Sequence, residues 1–207
     1  MATIDDSVFN AVAGLVASGE YLDRIPGFPE PSPSRGGVWQ EANDGSGSVQ
    51  YLYSRDSAEY RKARDAGLTQ RLPPLTPASR GAVARAEAAI GYRLPPLLRR
   101  LYLEAGDGGF GPGYGIFSLA DNDGIIRDRL EFREPGTPGS AAPAALLPVC
   151  SWGCGIYSLV DCSSPEGRMW GFDPNPGPAG GTPLFPEPYT FTEWLRRWTE
   201  CRLGQPG

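Results

Sequence analysis

Two short helical patterns, a cluster of glycines and an apolar run follow one another between residues 76 and 119. This order limits the fold more than any other feature of the sequence. Thr76 as N-cap and Pro77 at the first helical position predict the start of the first helix, because both residue types suit a helix N-terminus. Gly91 predicts its end, since glycine readily adopts the left-handed conformation found there.

The second helix is predicted to begin at Leu94-Pro95-Pro96 and to end at the glycines that follow Gly106, several of which can take a positive φ. Its buried face is predicted from an apolar stripe of four residues: Leu97, Leu98, Leu101 and Tyr102. Residues 116–119 then predict a buried strand. The segment therefore predicts a helix pair that leads into a sheet.

Several short motifs in this segment occur in a characteristic order: Ile90-Gly91, Leu94-Pro95, Leu101-Tyr102, Gly108-Gly109 and the apolar run at 116–119. In this order and spacing they resemble the SUKH superfamily, the Smi/Knr-like proteins. The resemblance continues through Gly171-Phe172-Asp173 to Phe191-Thr192-Glu193-Trp194-Leu195 and covers about residues 72–203. It implies an α+β domain that binds proteins, most often as a bacterial immunity protein that neutralises a toxin.

The whole chain is predicted to be α+β, with a mainly antiparallel sheet flanked by helices and an N-terminal helix-plus-hairpin extension. In the extension, residues 3–18 predict an amphipathic helix with Ile4 and Val8 on its buried face. A Pro-rich connection (26–37), a hairpin (38–41 with 49–53) and a short charged helix (57–66) follow. We expect residues 1–70 to dock on the main domain, residues 71–204, because so thin a core is not stable alone.

The C-terminal half is predicted to form an antiparallel meander. Residues 125–132 are compatible with a strand or a short helix. Three strand-like runs follow at 146–150, 155–161 and 168–172, with turn residues between them. After a Pro/Gly-rich connection at 173–188, the last helix, about 191–203, is predicted to bury Trp194, Leu195 and Trp198.

The sequence contains no histidine, which excludes Ser-His-Asp and Cys-His catalysis and every zinc site that uses histidine. Cys150, Cys154 and Cys162 lack the paired spacing of zinc ligands and are interpreted as reduced thiols, with a zinc site as the minor alternative. We therefore predict a non-enzymatic protein with no metal and no cofactor. Carboxylate catalysis stays an alternative, with three candidate groups: Asp107, Asp121 and Asp161.

The formal net charge is −5, Lys62 is the only lysine, and no long basic cluster is present. This composition disfavours nucleic-acid binding and favours a basic protein partner. No apolar run approaches the 18 residues or so of a membrane span, and Asp5 and Asp6 stand where a signal peptide carries basic residues. We expect a cytoplasmic protein that does not bind membranes.

Acidic and aromatic residues are concentrated in the loops after the second helix and around the predicted meander. If these loops share one edge, they form a patch suited to a basic protein. The predicted contact residues are Asp107, Tyr114, Asp121, Asp123, Trp152, Tyr157, Asp161, Trp170 and Asp173. The alternative is that Tyr157 and Trp170 belong to the core and that the aspartates form turns.

The resemblance and the acidic, aromatic loops together predict a protein-binding module. Its expected role is that of an intracellular immunity protein that neutralises a toxin, such as a nuclease, by stoichiometric docking. A regulatory scaffold is the first alternative, because it needs the same kind of binding surface, and a carboxylate-dependent enzyme is the second.

Overall fold

The computed structural model describes residues 3–28, 38–42, 49–119, 124–137, 139–175 and 182–206. In chain order the elements are α1 (Ile4–Ser18), β1 (Arg24–Gly27), β2 (Val38–Ala42), β3 (Val49–Ser54), α2 (Ala58–Asp65), α3 (Arg80–Ile90), α4 (Pro96–Glu104), α5 (Ile125–Phe132), β4 (Leu146–Gly153), β5 (Ile156–Asp161), β6 (Arg168–Phe172), β7 (Leu184–Thr190) and α6 (Phe191–Thr199). The predicted α+β class, the N-terminal helix and hairpin, and the meander are confirmed.

Two antiparallel sheets organise the chain. The N-terminal sheet has the order β1-β3-β2, and the C-terminal sheet has the order β4-β5-β6-β7. The prediction of a Pro/Gly-rich connection at 173–188 was wrong for its second half, because β7 pairs with β6 there. Pro186 and Pro188 lie in this strand, and an edge strand tolerates them because one row of its N–H groups has no partner strand.

The C-terminal sheet is covered on both faces. One face contributes Val149, Val160 and Met169 to the main core, which also contains the buried faces of α1, α3, α4 and α6. The other face packs Leu159 and Phe172 against Phe132 of α5 and forms a smaller core. Residues 125–132, which were compatible with a strand or a short helix, form the helix α5.

Helix ends follow local chemistry. Thr3 and Asp6 form a capping box at α1, and Thr190 and Glu193 form one at α6. Gly91 ends α3 with φ +81°, as predicted. Ile4, predicted on the buried face of α1, is 56% exposed because it lies in the first turn, beyond the core.

The predicted start of α3 was wrong by one turn. Ser79 is the N-cap, and its hydroxyl accepts a hydrogen bond from the Ala82 N–H at 3.1 Å. The backbone at Thr76 serves another purpose, since its carbonyl accepts from the Asp107 N–H at 2.8 Å. The segment before α3 is therefore extended and hydrogen-bonded to the end of α4.

The predicted strand at 116–119 is reduced to one isolated bridge between Ile116 and Cys150. The chain then leaves the sheet, because the Leu119 N–H donates to the Asp107 carboxylate at 2.7 Å instead of to a strand. Tyr102 fixes the same segment from α4 by donating its hydroxyl to the Phe117 carbonyl at 2.6 Å.

The N-terminal residues contact the rest of the chain through buried and polar groups. Helix α1 packs against α6 and α4. Asp5 accepts a hydrogen bond from the Thr192 hydroxyl at 2.7 Å, and Asp6 is 2.9 Å from Arg100. The boundary near residue 70 stays a prediction.

Candidate functional site

A cleft of about 580 Å³ lies between the N-terminal sheet and the end of α6. We call it the Asp23 cleft after the carboxylate in its wall. Strands β1 and β3 form one side, and the loop at 111–115, the end of β4 and the segment after α6 form the other. Residues that matter for its chemistry are Asp23, Arg24, Arg55, Asp56, Gly113, Tyr114, Trp152 and Trp198.

Asp23 connects the two sides of the cleft. Its Oδ1 accepts a hydrogen bond from the Trp198 indole Nε1 at 2.8 Å, and its Oδ2 accepts from the Gly113 backbone N–H at 2.8 Å. The side chain is still 39% exposed. Burial raises the pKa of Asp23 above its ordinary value, and the hydrogen bonds from Gly113 and Trp198 oppose this shift only in part.

Arg55 lies behind Asp23 and is a fixed part of the wall. Its side chain is 7% exposed and its Nη2 is 3.9 Å from Asp23 Oδ1. The same nitrogen donates to the Trp198 carbonyl at 2.9 Å, and the guanidinium lies 4.7 Å from the centre of the Trp198 ring. The charge of Arg55 is therefore directed at Trp198 and one oxygen of Asp23.

Two further aromatic side chains, Tyr114 and Trp152, line the cleft. Tyr114 is 70% exposed, and its backbone N–H is fixed by the Ser151 carbonyl at 3.0 Å. Trp152 is partly buried, and its indole Nε1 donates to the Ser158 hydroxyl at 3.0 Å. The backbone of Tyr114 and the ring of Trp152 are thus held in place by hydrogen bonds within the chain.

A glycine brings these groups together. Gly113 has φ +58°, and a Cβ there would lie 2.5 Å from the Ser151 carbonyl oxygen and 3.3 Å from Trp152 Cδ2. Only glycine allows the loop to approach β4 this closely while it donates its N–H to Asp23. The carboxylate and both aromatic residues therefore meet around Gly113.

A scan of protein-family models matches the SMI1 / KNR4 family (SUKH-1) over residues 77–197, which is more than half of the 207-residue chain. The chain belongs to this family. The predicted SUKH resemblance is confirmed, and membership supports an immunity-type domain in general terms. A search of curated proteins finds no match.

The Asp23 cleft lies at the boundary of the SUKH-1 match. Gly113, Tyr114 and Trp152 belong to the matched region, whereas Asp23 and Arg55 precede it. The N-terminal segment of this SUKH-1 protein therefore supplies the charged wall, and the family domain supplies the aromatic one.

The predicted contact residues fall into different places. Tyr114 and Trp152 line the Asp23 cleft. Tyr157 and Trp170 lie on the other face of the sheet, packed in the smaller core with Phe132. Burial raises the pKa of Tyr157, and the nearby carboxylates of Asp128 and Glu131 add to this effect.

Three of the predicted aspartates form backbone hydrogen bonds. Asp107 accepts from the Leu119 N–H, Asp161 from the Ser163 N–H at 2.8 Å, and Asp173 from the Asn175 N–H at 2.8 Å. The bonds of Asp161 and Asp173 stabilise turns, because each joins residues two positions apart, whereas the bond of Asp107 joins the end of α4 to a segment twelve residues later. Asp121 and Asp123 lie outside the described residues, and the binding role of all nine contact residues stays a prediction.

Among the described residues, no group of three or more metal-ligand side chains is found. Cys150 and Cys162 are buried, whereas Cys154 and Cys201 are exposed. Burial raises the pKa of the Cys150 thiol, which donates to the Pro112 carbonyl at 3.1 Å. In the described part of the chain, no helix combines the length and the hydropathy that a membrane span needs.

Asp23, Arg55 and Trp198 were not predicted as residues of the site. Trp198 was predicted as core, and it is 1% exposed. Its indole N–H was a possible signal, because a buried tryptophan needs an acceptor. Nothing in the sequence indicates that this acceptor is 175 residues away.

Proposed function

We propose that this SUKH-1 protein neutralises a toxin by docking on it in a stoichiometric complex, without chemistry of its own. The observation that carries the proposal is Tyr114, an aromatic side chain that is 70% exposed at the edge of a preformed cleft. Exposed aromatic residues beside a pocket are typical binding hot spots, because they bury a large area at little entropic cost.

The charge of the chain supports a basic partner. The net charge is −5, and a protein of opposite charge is attracted over distances of about 10 Å at moderate salt. A nuclease toxin has a basic nucleic-acid cleft, so it fits this description. Association should be fast at low salt and slower at high salt.

Family membership supports the same role. The match covers residues 77–197, which include Tyr114 and Trp152. We propose these two residues as the central contacts. Tyr157 and Trp170, on the other side of the sheet, belong in this proposal to a second contact area.

The test is a binding measurement with a toxin domain encoded beside the gene. The affinity of the full chain for this domain is measured by biolayer interferometry at low and high salt. We expect Tyr114→Ala to weaken binding by about 30-fold, the loss typical of a hot-spot residue. Tyr92→Ala is the matched control, because Tyr92 is also exposed but does not line the cleft.

Binding that is unchanged in Tyr114→Ala contradicts the proposed surface. If the toxin domain is chemically modified by the protein, the docking function itself is contradicted. Mass spectrometry of the recovered toxin domain distinguishes these two outcomes.

A further inference from the structure

The two oxygens of Asp23 face different surroundings. Oδ1 lies on the side of Trp198 and Arg55, whereas Oδ2 lies on the side of Gly113 and the aromatic residues. Each oxygen accepts one hydrogen bond from these groups, and an ionised carboxylate offers about four acceptor positions. With 39% of the side chain exposed, Asp23 has acceptor capacity left for a donor in the cleft.

The Oδ2 side of the carboxylate is bordered by aromatic surface. Gly113 donates to Oδ2, and the Trp152 ring lies 3.3 Å from the position of a Cβ on this glycine. Tyr114 follows Gly113 directly, and its ring lies 3.3 Å from the position of a Cβ on Gly153. Tyr114 and Trp152 line the same cleft as Asp23, so a ligand bound at Oδ2 shares this cleft with two aromatic side chains.

Four charged side chains line the cleft: the carboxylates of Asp23 and Asp56 and the guanidinium groups of Arg24 and Arg55. Asp56 also lines the cleft and its charge acts on Asp23. Arg55 is buried, and its Nη2 is bonded to the Trp198 carbonyl. Arg24 is exposed at the start of β1, directly after Asp23 in the sequence, and its charge opposes a cation in the cleft. Partial burial raises the pKa of Asp23, and a cation beside this carboxylate offsets the cost of its desolvation.

We propose that the Asp23 cleft receives an arginine side chain of the protein partner, whose guanidinium donates to Asp23 Oδ2 and stacks on Trp152 or Tyr114. This inference rests on the proposed function, in which the partner is a protein, and it names the group that enters the cleft. Arginine fits better than lysine, because its flat, weakly hydrated head stacks on aromatic rings and donates several hydrogen bonds at once.

The test uses the full chain and the peptide acetyl-Gly-Arg-Gly-amide as a probe. The signal is the indole N–H resonance of Trp152 in an NMR titration, assigned with Trp152→Phe. We expect a saturable shift with a dissociation constant of about 1–10 mM, the range of a single side chain that pairs and stacks. The same peptide with citrulline, which keeps the shape but not the charge, should bind at least about 10-fold more weakly.

Two variants locate the binding. Asp23→Asn removes the charge and should weaken the arginine peptide about 10-fold, as the citrulline probe does. Because Asp23 also connects the two sides of the cleft, Tyr114→Ala provides a change at an exposed residue and should weaken the peptide about threefold. Tyr92→Ala should leave the titration unchanged.

Equal binding of the citrulline peptide overturns the inference, as does the absence of a saturable shift up to about 50 mM. A Trp152 shift with acetyl-Gly-Glu-Gly-amide in place of the arginine peptide also overturns it, because the cleft is then an anion site. No toxin is present in this experiment. A negative result therefore rejects the arginine site and leaves stoichiometric docking through Tyr114 to be judged by the binding measurement above.

Discussion

Asp23→Ala is the substitution whose effect on stability the structure predicts most specifically. It removes the acceptor of two donors, the Trp198 indole and the Gly113 N–H. It also leaves the buried Arg55 guanidinium without the carboxylate that lies 3.9 Å away. The hydrogen bonds to Gly113, inside the SUKH-1 match, and to Trp198, directly after it, link the N-terminal segment to the SUKH-1 domain.

The magnitude follows from the burial of the groups left behind. A buried donor without an acceptor costs about 1–3 kcal/mol. Trp198 is 1% exposed, so water cannot reach its indole easily, whereas the Gly113 N–H faces the cleft and is partly rescued by water. We expect a loss of about 3 kcal/mol in the free energy of unfolding, which lowers the Tm by about 6–12 °C in a chain of this size.

The assay is urea and thermal unfolding of the full chain, followed by far-UV circular dichroism and tryptophan fluorescence. Coincident transitions show that a single free energy of unfolding is meaningful. Asp173→Ala is the matched control, because Asp173 accepts one hydrogen bond in a turn, and its loss should cost less than about 1 kcal/mol.

A double-mutant cycle isolates the central hydrogen bond. Trp198→Phe removes the indole donor, and the cycle with Asp23→Ala should show a coupling of about 1–2 kcal/mol. The reasoning is refuted if Asp23→Ala costs no more than Asp173→Ala, or if the two changes at the cleft are additive.

Three further predictions concern other parts of the fold. Burial raises the pKa of Glu187 to about 7 from 4.5, so the folded state binds more protons than the unfolded state between these values, and stability falls as the pH rises across this window. In Glu187→Gln this fall should disappear, which makes the variant about 1–3 kcal/mol more stable than the native chain at pH 8, measured by urea unfolding. Gly108→Ala should lower the free energy of unfolding by more than about 2 kcal/mol, because the new Cβ would lie 2.6 Å from the Ile116 carbonyl oxygen. Gly91→Ala is the control and should cost about 1 kcal/mol, because Gly91 also has a positive φ but has free space around it. Similar losses of stability in the two variants would refute this prediction. The exposed thiols of Cys154 and Cys201 should react quickly with an aromatic disulfide reagent, whereas the buried thiols of Cys150 and Cys162 should react only after unfolding. Fast reaction of all four thiols in the folded protein would contradict the fold.

Features that depend on near neighbours in the sequence could be predicted. Gly91 ends α3 because a left-handed residue is needed there. Ser57 starts α2 with its hydroxyl on the Tyr60 N–H. The buried stripe of α4 follows from helical spacing alone. Such signals are complete within a few residues, and so the helices were found with errors of about one turn.

Features that depend on distant partners could not be predicted. Strand β7 exists because β6 pairs with it, although Pro186 and Pro188 argue against a strand. The start of α3 was wrong because Thr76 offers its carbonyl to Asp107 instead of capping a helix. Both outcomes depend on tertiary contacts, which override local preference.

The candidate site was predicted in part for the same reason. Tyr114 and Trp152 were identified from their aromatic character in loops and strand ends. The sequence did not show that Tyr157 and Trp170 lie on the opposite face of the sheet from Trp152. Side chains do not alternate regularly along β4, because its register shifts between Pro148 and Cys150 and again between Ser151 and Gly153. The charged wall of the cleft lies outside the SUKH-1 match, so the family resemblance could not indicate it.

The central claim is that this protein acts by occupying a surface of its partner. A titration of the toxin domain at fixed concentration with increasing amounts of the chain tests it most directly, with residual toxin activity as the signal. A linear fall to zero that ends at one chain per toxin, unchanged by longer incubation, is the predicted result. A fall that is complete well below this ratio and deepens with time contradicts the claim, since it reveals turnover.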